Sequence, residues 1–142
     1  MAKKSWTEKL NDPSAHEIKP APIDIAGMKR GEIMLVPTAR MIDDFIRALP
    51  SGARTDAKAM RRELADCYGA EITCPIYTGY HLRTVAEAAL EALQMGADVT
   101  TITPFWRVLD ETAPTTGRLA CGVSFVTEQR AREAGGWRID RA

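Results

Sequence analysis

The chain has 142 residues, 45% of them hydrophobic and 27% charged, and its 19 basic and 19 acidic side chains cancel to a net charge of zero. This composition is typical of one globular domain and argues against a protein that coats nucleic acid through its overall field. No stretch approaches the roughly 18 apolar residues of a membrane helix, and the residues after Met1 lack the apolar core of a signal peptide, so no membrane association is expected. The three cysteines, Cys67, Cys74 and Cys121, form no Cys-x-x-Cys pair, which is typical of reduced thiols in a cytoplasmic protein.

The first third of the chain predicts an extended arm followed by a helix. Residues 1–35 are predicted as the arm, because residues that precede proline, as in Lys19-Pro20-Ala21-Pro22, avoid the helical region. Thr38 can cap a helix that runs to Leu49. Its apolar residues recur at helical spacing, while Asp43, Asp44 and Arg47 lie off the apolar stripe.

A second helix is predicted from Thr55 or Asp56 to Gly69, with a narrow apolar stripe and a basic remainder. Four cations fall in or just before it: Arg54, Lys58, Arg61 and Arg62. Such a run can be a solvated helix face or a set of phosphate contacts, and the sequence leaves both open. Residues 70–77 read as extended, and a third, alanine-rich helix is predicted from Thr78 or Gly79 to Met95.

The last third predicts a strand, a loop and a closing helix. Residues 99–103 are β-branched and predict a strand. Residues 104–108 follow as a loop, and residues 123–134 as the last helix. The fold class expected is mainly α with a short β element, a winged-helix-like domain in which the second and third helices form a helix-turn-helix pair. The arm at 1–35, a domain at 36–136 and a tail at 137–142 are its expected parts.

Two motifs carry a resemblance to a known family. The loop Pro104-Phe105-Trp106-Arg107-Val108 resembles the Pro-Cys-His-Arg-Val segment of the DNA alkyltransferases that repair alkylated guanine. Upstream, the run from Arg83 to Leu90 resembles the Arg-x-Val-Gly-x-Ala-x pattern of that family's recognition helix. Residues 42–52 resemble its opening helix and turn, and residues 122–135 its closing helix.

The resemblance implies the scaffold without the chemistry. Phe105 stands where the family has its nucleophilic cysteine and Trp106 where it has histidine, and neither ring can act as a nucleophile or a general base. Other departures are the family tyrosine near Ala57, the Asn-Pro hinge replaced at residues 94–96, and the lip Tyr-Ser pair at Ala120-Cys121. The family glutamate falls at Ala134, one position after Glu133.

Site residues follow from the resemblance, each with a structural alternative. Arg83 would be a finger that enters the duplex, or else an exposed arginine paired with Glu87 four residues later. Phe105 and Trp106 would line a base pocket, or else complete the core. Pro104, Arg107 and Cys121 complete the expected pocket, and Arg107 is expected to hold the loop through a carboxylate or backbone carbonyls.

The expected function is therefore that of a non-enzymatic, alkyltransferase-like protein that binds double-stranded DNA, with alkylated guanine as the implied lesion. The DNA contacts would come from Arg83, Arg54, Lys58, Arg61 and Arg62. A competing hypothesis is a repurposed winged-helix module that binds a protein or a small ligand. A third, alkyl transfer to Cys121, has no partner histidine that the sequence places beside it. No cofactor is expected, and two histidines with three scattered cysteines show no metal-ligand spacing.

Overall fold

The computed structural model describes the backbone of residues 4–141 and the side chains of residues 4–134. Within these residues there are five helices, three short strands and two 3₁₀ turns, so the fold is mainly α with a small β element, as predicted. In chain order these are α1 (Trp6–Leu10), β1 (Glu17–Pro20), β2 (Ile33–Val36), α2 (Ala39–Ala48), α3 (Ala57–Tyr68), β3 (Ile72–Thr73), α4 (Pro75–Gln94), the turns Phe105–Arg107 and Thr116–Arg118, and α5 (Gly122–Arg141).

The sheet joins the N-terminal segment to the strand before α4. Its order is β1-β2-β3, with β1 antiparallel and β3 parallel to β2. The register pairs Glu17 with Val36 and Met34 with Ile72. The predicted arm at residues 1–35 therefore contributes α1, β1 and part of β2, rather than one extended segment. Proline 20 ends β1 at the sheet edge, where a missing N–H is tolerated.

Local signals place three of the helix ends. The Thr38 hydroxyl accepts from the Met41 N–H at 3.2 Å, and the Asp56 carboxylate accepts from the Ala59 N–H at 2.8 Å, so both predicted caps are present. Gly69 ends α3 in the left-handed region with φ of 69°. By contrast, α4 begins at Pro75 rather than at Thr78 or Gly79, because proline is well suited to the first turn of a helix. At the other end of the chain, α5 runs to Arg141 and takes in residues 137–141 of the predicted tail, while residue 142 lies outside the described residues.

Helix α4 is the centre of the molecule. It contacts α1, α2, α3 and the turn at Phe105–Arg107. Its apolar residues are buried over two turns and more, together with the inner faces of α2 and α3 and the residues that follow α4. This main core comprises, among others, Ile42, Ile46, Met60, Leu64, Leu82, Val85, Ala86, Ala89, Phe105, Trp106 and Val126.

The strand predicted at residues 99–103 is wrong. Asp98 instead starts a turn, since its carboxylate accepts from the Thr100 N–H at 2.9 Å and from the Thr100 hydroxyl at 2.8 Å. An aspartate that bonds its own backbone two residues on competes directly with strand pairing. β-Branched composition alone could not reveal this, because it does not register a side chain that bonds its own backbone.

Asp43 also departs from the prediction. The helical spacing predicts a position off the apolar stripe of α2 for this residue, yet it is almost completely buried. The hydroxyl of Thr103 donates to its Oδ1, and Arg47 Nε donates to its Oδ2 at 3.1 Å. Arg40 Nη1 lies 4.0 Å from the same oxygen. These contacts fasten the end of the 98–103 turn to α2 and compensate the buried charge.

Asp43→Asn removes the charge but keeps the shape. We expect a loss of about 1–3 kcal/mol in the free energy of unfolding, because hydrogen bonds to a charged, buried acceptor contribute on this scale. The measurement is urea denaturation followed by circular dichroism. Asp44→Asn is the matched control, since Asp44 is the exposed neighbour on the same helix and should change stability by less than about 0.5 kcal/mol. Equal effects of the two substitutions would contradict a structural role for the Asp43 network.

Candidate functional site

The loop at Pro104–Val108 folds over α4 and α5 and buries its two aromatic rings. Phe105 is completely buried and stacks nearly parallel on Phe125, with ring centroids 6.0 Å apart. Trp106 meets Phe105 edge to face at 5.4 Å and Phe125 at 6.1 Å. Three rings in mutual contact bury a large apolar area and prefer these geometries. Phe105 therefore completes the core, which is what the structural alternative predicts for it.

Arg107 holds this loop through the contacts that the sequence predicted for it. Its Nη2 donates to Glu133 Oε2 at 2.7 Å, its Nε lies 3.1 Å from both carboxylate oxygens, and its Nη1 donates to the Leu49 carbonyl at 2.7 Å. The Gly52 N–H donates to the Glu133 carboxylate at 3.0 Å, and the Thr55 N–H donates to the Arg107 carbonyl. One guanidinium thus joins the loop to the end of α2 and to α5.

The pKa of Glu133 reflects this arrangement. Burial alone raises it, but the hydrogen bonds from Arg107 and from the Gly52 N–H outweigh burial and lower the pKa below its ordinary value of 4.5. A carboxyl whose pKa is lowered by folding adds stability above its unfolded pKa and loses it as the pH falls through the folded value.

A cavity of about 740 Å³ lies beside the loop, between the end of α2, residues 98–107 and α5. Three of the five predicted pocket residues line it, namely Pro104, Trp106 and Arg107. Phe105 does not, because its ring is turned into the core. Trp106 Nε1 is buried and has no hydrogen-bond partner among the described residues. Neither cysteine nor histidine lines this cavity, so no thiol and imidazole meet there.

Cys121, the fifth predicted pocket residue, lies elsewhere. It precedes α5 and packs at the edge of the core, with its thiol donating to the Gly122 carbonyl at 3.3 Å. Burial, reinforced by the nearby Glu87 carboxylate, raises the pKa of the Cys121 thiol. A thiol with a raised pKa stays protonated at neutral pH and is a poor nucleophile, which counts against alkyl transfer to this residue.

Arg83 lies at the surface of α4 with three kinds of contact. Its Nη2 is 3.6 Å from Glu87 Oε2, which is the ion pair weighed as the alternative to a DNA finger. The same nitrogen donates to the Arg118 carbonyl at 3.5 Å. The guanidinium carbon lies 5.3 Å from the centroid of the Trp6 ring in α1. About 40% of the side chain remains exposed, so the ion pair does not remove Arg83 from solvent.

A second concave surface surrounds Arg83, and we name it the α1–α4 groove. Its volume is about 350 Å³. It is lined by Trp6, Lys9, Ile76, Gly79, Tyr80, Arg83, Thr115 and Arg118. Tyr80 and Tyr77 stand exposed on the same end of α4. The groove thus combines three cations with exposed aromatic rings, which is the residue combination used by nucleic-acid surfaces.

The sequence did not anticipate the part that α1 plays. Glu91 of α4 accepts from the Trp6 and Thr7 N–H groups at 3.1 and 2.8 Å and so holds the start of α1 against α4. A Ser-x-x-Glu capping box, with Ser5 accepting from the Glu8 N–H at 3.1 Å, was the available signal for this helix.

The other four cations predicted for DNA contact lie on α3 and the turn before it. Arg54, Lys58 and Arg62 are exposed and Arg61 is partly buried. In the described part of the chain none of the four forms an ion pair with a carboxylate, whereas Arg83 does. Lys58, Arg61 and Arg62 follow helical i, i+3, i+4 spacing and share one face of α3.

The described residues provide neither a metal-binding cluster nor a membrane-spanning helix. Among the side chains of residues 4–134, no three of His, Cys, Asp and Glu converge so that they could hold a metal ion. Of the helices within residues 4–141, none has the length and apolar composition needed to cross a membrane.

Comparison with known proteins identifies no relative. No protein-family model, no curated protein and no solved structure matches this chain.

Glu133→Gln should destabilise the protein by about 2–3 kcal/mol at neutral pH, because it weakens a charge-assisted bidentate pair whose two side chains are each only 14% exposed. The difference from the parent protein should be constant above pH 5 to 6. It should shrink as the pH falls from about 4.5, where the unfolded carboxyl protonates, through the lowered pKa of the folded carboxyl. Urea denaturation at a series of pH values measures the loss of stability and its dependence on pH. Glu128→Gln, on the exposed face of the same helix, is the control. A deficit that persists unchanged in acid would mean that the Arg107 pair is not its cause.

Proposed function

We propose that this protein is a non-enzymatic, alkyltransferase-like protein that binds double-stranded DNA through a winged-helix-like domain. The observation that carries the proposal is the α1–α4 groove, where Arg83 of the expected recognition helix lies with two further cations beside the exposed Tyr80. Arginine in such a position can contact phosphate or enter the minor groove. Helices α3 and α4, joined by residues 69–74 with a short strand, are the expected helix-turn-helix pair.

The loop contributes support of a different kind. The resemblance implies a glutamate on the closing helix, one position from Glu133, and an arginine in the loop. In this chain Glu133 and Arg107 are joined by three hydrogen bonds. A scaffold in which these two elements meet is consistent with the family pattern, although it carries no reactive thiol.

Phe105 bears on which DNA would be bound. Its ring fills the position where the resemblance implies a cysteine that reaches an extruded base, and it packs there against Phe125. A completely buried ring leaves no space for a base at that position. We therefore expect duplex binding with little preference for alkylated guanine, and no transfer of the alkyl group.

Fluorescence anisotropy with a labelled duplex, with and without one alkylated guanine, tests the proposal across a salt series. Arg83→Ala should weaken binding about tenfold, or roughly 1.4 kcal/mol. Lys58→Gln combined with Arg62→Gln should lower the salt slope by up to about two units. Lys29 is exposed and lies outside the α1–α4 groove and α3, so Lys29→Ala should leave the affinity for the duplex within about twofold of the parent value. Undetectable binding at low salt would refute the proposal, as would equal losses in all three variants.

A second candidate function is a module that binds a small ligand, and the cavity beside the loop favours it. The cavity is polar as well as apolar, with Arg47, Gln129 and Arg132 among the residues that line it. Gln129 is buried on α5 and faces it. Pockets with a few polar groups on an apolar wall are the usual form of small-molecule sites.

Thermal-shift measurements with a set of small anionic and neutral metabolites separate the two candidates. A ligand of the cavity should raise the melting temperature of the parent protein, and Gln129→Leu should abolish the rise while Arg83→Ala leaves it unchanged. Because ligand binding to the folded state stabilises it in proportion to occupancy, the shift should grow with ligand concentration. The absence of any concentration-dependent shift, together with tight duplex binding, would remove this candidate.

A further inference from the structure

Three cations from three separate parts of the chain meet in the α1–α4 groove. Lys9 comes from α1, Arg83 from α4, and Arg118 from the 3₁₀ turn before α5. Of the described side chains that line the groove, none is acidic. Glu87 pairs with Arg83 from beneath, and its carboxylate also accepts from the Ala120 N–H at 3.2 Å, so its charge is shared.

The ring of Trp6 holds two of these cations in place. Lys9 Nζ lies 4.3 Å from the ring centroid and the Arg83 guanidinium carbon 5.3 Å from it. An indole face attracts a cation at such distances. Two cations against one ring nevertheless repel each other, and this repulsion falls when an anion enters between them.

Trp6 and Lys9 are ordered by contacts that lie outside the groove. Thr7 donates to Glu91 through both its N–H and its hydroxyl, at 2.8 and 2.9 Å, and the Trp6 N–H donates to the same carboxylate. Burial raises the pKa of Glu91, but these hydrogen bonds lower it further than burial raises it, so the carboxylate stays charged at neutral pH. The N–H groups at the start of α1 are therefore already bound to Glu91. The three cations of the groove are held in position before any ligand binds.

The donors around the groove point to the kind of ligand. Arg83 Nε is buried without a hydrogen-bond partner among the described residues, and the Thr115 side chain lines the same groove. Tyr80 stands exposed at the rim. A ligand with several acceptor oxygens and negative charge matches one lysine and two arginines, since guanidinium and ammonium groups make charge-assisted hydrogen bonds to phosphate.

We propose that the α1–α4 groove is a phosphate site, formed by Lys9, Arg83 and Arg118 around Trp6, and that it takes a backbone phosphate of the bound DNA. The inference deepens the proposed function and rests on it for the source of the phosphate. It makes α1 part of the DNA interface. The N-terminal segment then supplies a contact that neither the recognition-helix motif nor the loop motif contains.

Two measurements on the full chain test the site. First, ¹⁵N-labelled protein is titrated with inorganic phosphate at constant ionic strength, balanced with chloride. We expect shifts at the Trp6 indole N–H and at the amides of residues 115–118, and their loss in Lys9→Gln/Arg118→Gln. Second, the same double variant is compared with Lys29→Gln in duplex anisotropy. Its salt slope should fall by about one unit, which corresponds to roughly eightfold weaker binding at 0.1 M salt.

The outcomes separate the site from the function. Phosphate shifts without any duplex binding would overturn the proposed function and the DNA source of the phosphate, and would leave a site for another phosphate ligand. If the double variant binds the duplex with an unchanged salt slope, the groove is not part of the DNA interface. If inorganic phosphate also causes no chemical-shift changes in the parent protein, the phosphate site itself is refuted. Circular dichroism of the double variant shows whether it folds; should it not, Arg118→Gln alone, at an exposed side chain, provides both measurements.

Discussion

The junction between Arg107 and Glu133 is the constraint on which the rest of the structure depends. The Arg107 guanidinium donates to the Glu133 carboxylate of α5 and to the Leu49 carbonyl at the end of α2. The Gly52 N–H donates to the same carboxylate. With the loop held from both sides, its neighbours Phe105 and Trp106 have only the interior of the domain to occupy. Arg130 adds a further tie by donating to the Trp106 carbonyl at 2.6 Å. Loss of this junction would release the loop and the rings together.

Because Phe105 is buried, its ring cannot contact a ligand, and a functional surface has to lie outside this position of the loop. At the position where the resemblance implies a reactive thiol there is a packed ring, and among the described residues neither cysteine nor histidine lines the cavity beside it. Two sets of cations within residues 4–134 lie away from the loop, one around Arg83 and the other along α3. Net charge is zero over the chain, yet three cations converge on one groove, so the distribution of charge carries more information about a ligand than its sum.

Where the structure agrees with the sequence, the cause is local. Thr38 and Asp56 cap the helices that follow them, and Gly69 ends α3, because each effect involves only a few neighbouring residues. The loop-holding contacts of Arg107 were also anticipated. The predicted strand at residues 99–103 failed because a side chain, Asp98, formed a turn that propensity does not register. α1 was missed although its capping box was readable, since a five-residue helix has almost no apolar periodicity.

By itself the sequence determined the identities that limit the chemistry. These are phenylalanine and tryptophan in the loop, three cysteines with no histidine close to them in the sequence, and an arginine within an alanine-rich helix. Only the tertiary structure decided which of these residues meet. Asp43 is buried because Thr103, sixty residues later, supplies a hydrogen bond, and Lys9, Arg83 and Arg118 share a groove because Glu91 holds α1 against α4. Such contacts depend on packing between distant segments, which local propensity and spacing do not encode.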